Sequence, residues 1–209
     1  MNWNNKSILI TGGAEVIGKE LIKRLELEKA NTLCLDLVDK PKELSDSSSK
    51  YTKIDISEIT PDIITVFDPH IIFHLAATFE RTEETPDFWD DNFKDNILLS
   101  HKVIDAAKEC TSLEKFIFAS SYLSYSPMLY LTNAPQSYAT KLKEIDLPNP
   151  RNLCGAAKYY TEKELEFISD MHNIISISAR IYRVYGLGSR DIISRWVRMA
   201  IEKEELIVF

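Results

Sequence analysis

The sequence of 209 residues predicts an α/β fold built on a doubly wound parallel sheet with helices on both faces. Two observations predict this fold: short apolar runs alternate with longer stretches of helical spacing, and a glycine-rich turn follows the first run. Continuous apolarity in short runs is typical of strands that are buried on both faces of a parallel sheet. The runs that predict strands are residues 7–11, 32–36, 51–55, 71–77, 115–121 and 174–182.

The stretches between these runs predict helices. Ile17, Leu21 and Leu25 recur at intervals of four residues, which places them on one face of a helix after the first strand. Residues 93–107 and 159–171 carry helical spacing as well. Strands that alternate with helices in this way are typical of a doubly wound sheet.

Two segments do not follow the alternation. The polar stretch 43–50 predicts a loop rather than a linker between domains. The glycine-containing stretch 185–191 breaks the pattern, and residues 192–209 predict one helix and a short strand beyond it.

Composition excludes several classes of protein. With 32 acidic and 25 basic residues, a formal net charge of −7 gives no general attraction to nucleic acid or to an anionic membrane. The three cysteines are widely spaced and odd in number, which predicts free thiols in a reducing compartment. No apolar run approaches a signal peptide or a membrane span, and the four scattered histidines imply no metal site. We therefore expect a soluble cytoplasmic protein.

The turn after the first strand reads TGGAEVIG, from Thr11 to Gly18. In a dinucleotide-binding turn the first glycine makes the bend, the second admits the pyrophosphate, and the third packs the helix against the strand. Gly12 and Gly18 keep the first and third places. Glu15 occupies the second, where it brings a negative charge to the helix N-terminus that phosphates would approach.

An acidic residue ends the next predicted strand. Asp36 lies about 20 residues beyond the glycine turn, as the dinucleotide fingerprint requires. A carboxylate there accepts hydrogen bonds from the adenosine ribose and repels a 2′-phosphate. Because Leu37 and Val38 follow with no adjacent arginine, the sequence predicts a Rossmann-type domain that binds NAD rather than NADP.

Further motifs follow in a recognisable order. They are TGGAEVIG (11–18), IDIS (54–57), HLAA (74–77), Asn96 within DNILLSHKVIDAAK, FIFASS (116–121), GAAKYYTEKE (155–164) and RIYRVYGLG (180–188). This ordered set resembles the extended short-chain dehydrogenase/reductase family, the NAD-dependent epimerases and dehydratases that mostly act on nucleotide sugars. The resemblance runs from about Ser7 to the end of the sequence.

The resemblance implies a set of residues that hold NAD. Five belong to the glycine turn, and the others follow the second, third and fourth strands or lie on two helices. The set is Gly12, Glu15, Val16, Ile17, Gly18, Asp36, Asp55, Ile56, Leu75, Ala76, Ala77, Asn96 and Lys158.

The resemblance also implies catalysis by a serine and a Tyr-x-x-x-Lys pair, whose spacing places both side chains on one helix face. The lysine lowers the pKa of the tyrosine and binds the nicotinamide ribose, and the tyrosine removes a sugar hydroxyl proton while hydride passes to NAD. In this sequence Ser121 matches the serine and Lys158 the lysine. Cys154 occupies the tyrosine position, so the implied catalytic residues are Ser121, Cys154 and Lys158.

Several interpretations of this departure are open. Tyr159 and Tyr160 follow Lys158 directly and lie on other helix faces. Lys158 could itself act as the base, as in dehydratases of the family that lack the tyrosine. Cys154 could act as an acid or base, or pack as a small residue under the cofactor site. Arg183 stands where the family has a substrate-contacting asparagine, and is a pyrophosphate ligand or a surface charge.

Three functions follow from these observations. The first is an NAD-dependent epimerase or dehydratase that acts on a nucleotide sugar by transient hydride transfer. The second is a non-catalytic NAD-binding or interaction protein, and the third is a structural module without a cofactor.

The resemblance also sets expectations for domains and assembly. Residues 1–188 are predicted to form the NAD-binding domain, and residues 189–209 the start of a C-terminal substrate lobe that is largely absent from this sequence. A homodimer is expected through pairing of the helix around Asn96 and the catalytic helix.

Overall fold

The computed structural model describes residues 3–78, 86–132, 137–189 and 191–205. Its centre is a sheet of six parallel strands in the order β3-β2-β1-β4-β5-β6. The strands are β1 (Ser7–Thr11), β2 (Asn31–Asp36), β3 (Lys50–Lys53), β4 (Ile71–His74), β5 (Lys115–Ser121) and β6 (Ile175–Ile181). The predicted doubly wound parallel sheet is confirmed.

Helices connect the strands. The α-helices are α1 (Val16–Leu27), α2 (Pro61–Phe67), α3 (Pro86–Asn92), α4 (Leu99–Ala107), α5 (Leu153–His172) and α6 (Ile192–Glu202). A π-helical segment, Phe93–Leu98, joins α3 to α4. Short 3₁₀ turns cover Lys42–Leu44, Ile56–Glu58, Tyr122–Ser124 and Pro127–Leu129.

Two strands end two or more residues earlier than the apolar runs predict. β4 stops at His74, which pairs with Thr11 at the end of β1, and the Leu75 nitrogen still donates a hydrogen bond to the Thr11 carbonyl oxygen at 2.9 Å. β3 stops at Lys53 opposite Asp36, the last residue of β2. The segments that continue past these ends are loops at the carboxyl edge of the sheet.

β1 divides the core into two layers, because successive side chains of a strand point to opposite faces. Leu9 packs in a layer with residues of α2, α4 and α5, whereas Ile8 and Ile10 pack in a layer with residues of α1. The first layer includes Ile64, Val103, Phe118 and Leu165, and the second includes Ile22, Leu25 and Cys34. Helices therefore pack on both faces of the sheet, as predicted.

Three helical features differ from the sequence prediction. The seven-residue α2 was not predicted, since its apolar stretch is too short to show a period. The helix predicted over 93–107 starts earlier, at Pro86, and changes to π-helical hydrogen bonding within Phe93–Leu98. The change of hydrogen-bond register leaves no mark on the apolar spacing.

The predicted loop 43–50 is ordered by one carboxylate. Glu26 accepts hydrogen bonds from the Ser47 hydroxyl at 2.5 Å, the Ser48 hydroxyl at 3.1 Å and the Ser49 nitrogen at 3.0 Å. The loop also differs from the prediction at both ends, because a 3₁₀ turn begins it and Lys50 starts β3.

α5 is fixed to the sheet by a buried ion pair. Glu162 is bonded by the Arg180 guanidinium at 2.7, 3.0 and 3.3 Å and by the Ser120 hydroxyl. Arg180 lies on β6 and Ser120 on β5, so one carboxylate joins three elements. This arrangement sets where α5 lies relative to the end of β5.

The predicted helix after residue 191 is confirmed as α6, while the end of the predicted strand falls on residues 206–209, outside the described residues. Within the described parts of the chain, no helix is long and apolar enough to cross a membrane.

Candidate functional site

The glycine-rich turn joins β1 to α1 at the carboxyl edge of the sheet. Gly12 has a left-handed backbone (φ +74°), and a Cβ atom there would lie 2.5 Å from the Ala76 nitrogen. Only glycine therefore lets the turn pack against residues 75–77, which follow β4. Since β1 and β4 are neighbours although β2 and β3 lie between them in sequence, the two loops meet at the switch point of the sheet. Ligands of α/β folds bind at this point.

A cavity of about 290 Å³ opens beside the turn. Carboxylates and apolar side chains form its walls. Gly12 and Glu15 line it from the turn, Asp36 from the end of β2, Asp55 and Ile56 from the segment after β3, and residues 75–77 from the segment after β4. The structure thus brings together predicted cofactor residues from four separate parts of the sequence.

Asp36 is held firmly at the wall of this cavity. Its Oδ2 accepts a hydrogen bond from the Ala14 nitrogen at 2.9 Å, and its Oδ1 accepts one from the Val38 nitrogen at 3.2 Å. Each carboxylate oxygen has two lone pairs, so both keep an acceptor position for a ligand hydroxyl.

Asp55 anchors the turn that carries Ile56 to the same cavity. Its Oδ1 accepts hydrogen bonds from the Ser57 hydroxyl at 2.7 Å and the Ser57 nitrogen at 2.9 Å, and its Oδ2 lies 3.1 Å from the Lys94 Nζ. The bonds from Ser57, with a smaller effect of Lys94, lower the pKa of Asp55. The carboxylate is therefore ionised at neutral pH.

The cavity continues along the turn as a second part of about 200 Å³. We call the two parts the loop cavity, because Gly12, Glu15 and Leu75 line both. The second part adds the remaining predicted residues of the turn and three residues near the ends of β5 and β6. These are Val16, Ile17, Gly18, Ala119, Val184 and Ser189.

Glu15 lies at the start of α1 with its side chain exposed. It occupies the N-cap position, makes no capping hydrogen bond, and has an extended backbone with φ −87°. The backbone at position 15 therefore does not require glycine. Because Glu15 lines both parts of the loop cavity, an anionic ligand at this helix N-terminus would meet a carboxylate.

The predicted catalytic residues surround the end of β5. Ser121 ends the strand, and its hydroxyl accepts a hydrogen bond from the Leu123 nitrogen at 3.2 Å. The first turn of α5 packs directly on this segment, since a Cβ atom on Gly155 would lie 2.3 Å from the Leu123 carbonyl oxygen. The close approach brings Cys154, the residue before Gly155, next to the end of β5.

Lys158 lies one turn further along α5, over an aromatic ring. Its Nζ is 4.7 Å from the centroid of Phe118, and His74 stacks on the same ring with centroids 5.6 Å apart. Burial lowers the pKa of Lys158 to about 8, against a smaller opposing effect of Cys154. Burial also lowers the pKa of His74 to about 3, so this histidine is neutral and bonds Thr11 and Ser100.

Cys154 is buried and contacts the π-helical segment. Its Sγ lies 3.8 Å from the Asn96 Nδ2 and 3.8 Å from the Thr78 carbonyl oxygen. Asn96 in turn accepts a hydrogen bond from the Thr78 nitrogen at 3.0 Å and donates one to Asn92 at 2.8 Å. The structure therefore brings Cys154 and Asn96 together, but neither lines the loop cavity among the described residues.

A further cavity, of about 460 Å³, lies beyond the carboxyl ends of β5 and β6. We call it the tyrosine cavity, because Tyr122, Tyr130 and Tyr182 line it together with Arg151 and Arg183. Tyr122 stacks on Tyr182 with centroids 5.5 Å apart and meets Tyr130 edge-on at 5.9 Å. The Tyr130 hydroxyl is buried and has no hydrogen-bond partner among the described residues.

Arg183 lies both at the surface and on the wall of a cavity. Its side chain is exposed and lies 3.3 Å from the Asp191 carboxylate, as a surface charge would. It also lines the tyrosine cavity beside Arg151. The cavity therefore offers two guanidinium groups to an anionic ligand.

Sequence reasoning missed most of the tyrosine cavity. Tyr122 directly follows Ser121, and Tyr182 directly follows the last residue of β6. Their positions after predicted strands were a usable signal, since side chains there lie at the ligand-binding edge of the sheet. Arg151 lies in an irregular segment with no periodicity and gave no comparable signal.

The residues of the loop cavity fit a dinucleotide. Gly12 leaves the space that a Cβ would fill, Asp36 presents two carboxylate oxygens, and apolar walls at Ile56 and Leu99 suit an adenine ring. The carboxylate of Glu15, at the N-terminus of α1, opposes a pyrophosphate.

Comparison with known proteins agrees with this geometry. Residues 8–209 match the model of the NAD dependent epimerase/dehydratase family. A dTDP-4-dehydro-6-deoxyglucose reductase from Escherichia coli is 29% identical over 198 residues, which cover 91% of this chain and 59% of the reductase.

Two solved structures share the fold. A UDP-glucose 4-epimerase from Thermotoga maritima, solved with UDP-glucose, superimposes with a TM-score of 0.81 at 24% identity and covers 97% of this chain and 65% of its own. A UDP-glucuronic acid 4-epimerase from Bacillus cereus, solved with NAD, gives a TM-score of 0.78 at 23% identity over 97% of this chain and 66% of its own. The chain thus spans between three fifths and two thirds of the length of these proteins.

Proposed function

The chain belongs to the NAD-dependent epimerase/dehydratase family, and from that premise we propose that it binds NAD and transforms a nucleotide sugar by transient hydride transfer at a sugar carbon. The observation that carries the proposal is that the sequence neighbours of Ser121 line two different cavities, although Ser121, which is partly exposed, is on the wall of neither. Ala119, two residues before Ser121, lines the loop cavity, and Tyr122, the next residue, lines the tyrosine cavity. A serine in the segment that joins a dinucleotide site to a second, cationic site suits transfer between two bound ligands.

The loop cavity is the proposed NAD site. Gly12 and the following residues would approach the pyrophosphate, Asp36 would accept the adenosine ribose hydroxyls, and Ile56 would contact the adenine. Asp36 disfavours a 2′-phosphate by charge repulsion, so NAD is proposed over NADP. The Bacillus cereus epimerase, which was solved with NAD, supports this assignment.

The tyrosine cavity is the proposed substrate site. Arg151 and Arg183 would hold phosphate oxygens, and the stacked rings of Tyr122 and Tyr182 would contact a sugar ring. The relatives that act on dTDP-linked or UDP-linked sugars support a nucleotide sugar as substrate.

Bound NAD would supply the hydride acceptor and donor. The protein supplies position and protons: the Ser121 hydroxyl would orient the reacting sugar hydroxyl, and the Lys158 Nζ would bond the nicotinamide ribose. With a pKa of about 8, Lys158 can also exchange a proton near neutral pH. Cys154 would act as a small packed residue that holds Asn96 and the segment at Thr78 against the N-terminal turn of α5.

We also propose a homodimer. α5 exposes Tyr160, Phe167 and Met171, and the helix before α4 exposes Trp89 and Phe93. An apolar face of this size suits a second copy of the chain. The replacement Phe167→Glu should then convert a dimer to a monomer in light scattering, while Leu27→Glu on the exposed surface of α1 should not. A monomeric parent chain would contradict the proposal.

Two further assignments are part of the proposal. Residues 1–188 would form the NAD-binding domain and residues 189–209 the start of a substrate lobe. The described cysteines are all free, which supports a reducing, cytoplasmic location.

The experiment combines a binding and a turnover measurement. Calorimetric titration should give NAD+ binding that is stronger than NADP+ binding, and Asp36→Ala should remove this preference while Asp46→Ala, in the exposed loop, should keep it. Turnover should then appear with at least one of UDP-glucose, UDP-glucuronic acid and dTDP-glucose. Absence of NAD+ binding at millimolar concentration would overturn the proposal, and NAD+ binding without turnover would favour a non-catalytic NAD-binding protein.

A further inference from the structure

We propose that Tyr122 supplies the phenol that position 154 lacks, and that its Oη donates and accepts the proton of the reacting sugar hydroxyl. The inference rests on the proposed function, since it assigns a catalytic residue to that site. It comes from the positions of two side chains, those of Cys154 and Tyr122, relative to the tyrosine cavity.

The thiol of Cys154 is buried and already contacts two other polar groups. Cys154 is 3% exposed, and its Sγ contacts the Asn96 amide and the Thr78 carbonyl. Among the described residues it lines neither the loop cavity nor the tyrosine cavity. Cys154 differs in its burial from Ser121, which is partly exposed, so its sulfur is less accessible to a substrate in the tyrosine cavity than the Ser121 hydroxyl.

Tyr122 is adjacent to both Ser121 and Cys154. It follows Ser121 in sequence, and its ring packs against the apolar cluster that contains Cys154 and Leu123. The segment that carries it is pressed against the first turn of α5 through the Gly155 contact. Tyr122 is thus next to the predicted serine in sequence and packs against residues at the start of the helix that would normally carry the tyrosine.

The ring of Tyr122 is also fixed in orientation. It stacks on Tyr182 at an interplanar angle of 16° and meets Tyr130 edge-on at 67°. Because Tyr122 lines the cavity with a ring held by two neighbours, the direction of its hydroxyl is restricted, as general acid catalysis requires.

The other tyrosines near the site fit this role less well. Tyr159 lies against Lys163 and Tyr160 is half exposed on α5, and neither lines the cavities described above. Tyr130 lines the tyrosine cavity, but its hydroxyl is buried. Tyr182 follows β6, whereas Tyr122 directly follows Ser121 at the end of β5.

The proton balance is simple. In the reductive direction the neutral phenol O–H bond breaks as an O–H bond forms on the sugar carbonyl oxygen, while the reduced dinucleotide of the proposed function provides the hydride to the carbon. In the oxidative direction the Tyr122 oxygen takes the hydroxyl proton, and the oxidised dinucleotide takes the hydride. Ser121 would hold the same sugar oxygen throughout.

The test uses Tyr122→Phe, Cys154→Tyr and the double variant, with Tyr159→Phe as the matched control, because Tyr159 lies on α5 and lines none of the cavities described above. We expect Tyr122→Phe to lower kcat by about 100-fold or more while KM changes by less than about threefold. The double variant should recover at least about tenfold of that loss, because it restores a phenol on α5. Tyr159→Phe should keep most of the kcat, and all variants should bind NAD+ like the parent chain.

A second measurement does not depend on turnover. With ¹³Cζ-labelled tyrosine, the Tyr122 resonance should shift when a UDP sugar is added to the NAD+ complex, while the Tyr160 resonance should not. A kcat of Tyr122→Phe within about threefold of the parent value would overturn the inference and leave the proposed function intact. Turnover that appears only in variants with Cys154→Tyr would also overturn it, and NAD+ binding without turnover in any variant would overturn both.

Discussion

Glu15 shows how a single residue can oppose a ligand without disturbing the fold. Its extended backbone fits the start of α1, and a carboxylate near a helix N-terminus stabilises the helix by about 0.3–1 kcal/mol. The same charge faces the loop cavity, where the proposed pyrophosphate would lie. A carboxylate at position 15 therefore stabilises the helix but weakens the binding of a pyrophosphate.

The replacement Glu15→Gly should raise the affinity for NAD+. Removal of one negative charge beside the pyrophosphate is expected to contribute about 1–2 kcal/mol, which corresponds to roughly 5- to 30-fold in Kd. Calorimetric titration measures the change, and Glu20→Gln, on the exposed side of the same helix, serves as the control. An unchanged or weaker affinity in Glu15→Gly would show that the carboxylate does not face the cofactor.

Lys158 should titrate far below an ordinary lysine. Burial lowers its pKa to about 8, whereas an ion pair with Glu166 raises the pKa of Lys163 on the same helix. NMR of the lysine ¹³Cε signals should therefore show Lys158 titrating near pH 8, well before Lys163. The transition near pH 8 should be absent in Lys158→Met, which assigns that NMR signal to Lys158. A Lys158 transition at the pH of the Lys163 transition would contradict the claim that burial lowers the pKa of Lys158.

The same shift predicts the pH dependence of stability. Between about pH 8 and pH 10.5 the unfolded chain holds a proton on Lys158 that the folded chain has lost, so folding gains stability as pH rises. The destabilising effect of the buried ammonium is present in full below pH 8. In urea unfolding, the stability of the parent chain relative to Lys158→Met should therefore increase across this interval, and a decrease would contradict the sign.

At the scale of elements, the contact between α5 and the turn after β5 positions the site. Gly155 allows the helix to touch the Leu123 backbone, and the Glu162–Arg180 pair holds the next turns of α5 against β5 and β6. Together they place Lys158 over Phe118 and Tyr122 beside Cys154. The site is thus a consequence of how one helix packs on two strand ends.

The replacement Gly155→Ala should separate these elements. Its Cβ would lie 2.3 Å from the Leu123 carbonyl oxygen, and because backbone atoms cannot move aside easily, we expect a loss of about 1–3 kcal/mol in unfolding free energy. Chemical denaturation measures the loss, with Ala156→Ser on the exposed side of the same turn as the control. Equal stability of the two variants would mean that the contact is not tight.

Patterns in the sequence predict some secondary-structure elements and fail to predict others. The strands at 7–11 and 115–121 match β1 and β5, since buried parallel strands leave continuous apolar runs. α2 has only seven residues and shows no period, and the π-helical turn around Asn96 is too short for its wider period to be recognised in the apolar spacing. The missed features are those whose information lies in tertiary contacts.

At the scale of the whole molecule, topology determined which predicted site residues came together. Gly12, Asp36, Asp55 and Ala76 line one cavity because parallel strands end at one edge of the sheet, so their positions were predictable from the strand ends. Asn96 and Lys158 were taken from motifs and lie beside the loop cavity rather than on its walls. Tyr122 follows a predicted strand, so its position at this edge was predictable, whereas Arg151 depends on the path of the irregular segment before α5, which no local pattern encodes.

Hydrogen–deuterium exchange with two ligands tests the central claim most directly, namely that adjacent cavities bind NAD and a nucleotide sugar on either side of Ser121. NAD+ should slow exchange in peptides that cover 12–18, 36–38, 54–56 and 75–78. A UDP sugar added to that complex should then slow exchange in peptides that cover 121–131, 140–142 and 182–183. Protection by NAD+ in neither the glycine turn nor the Asp36 segment, or protection by the sugar nucleotide only outside the second set, would contradict the account.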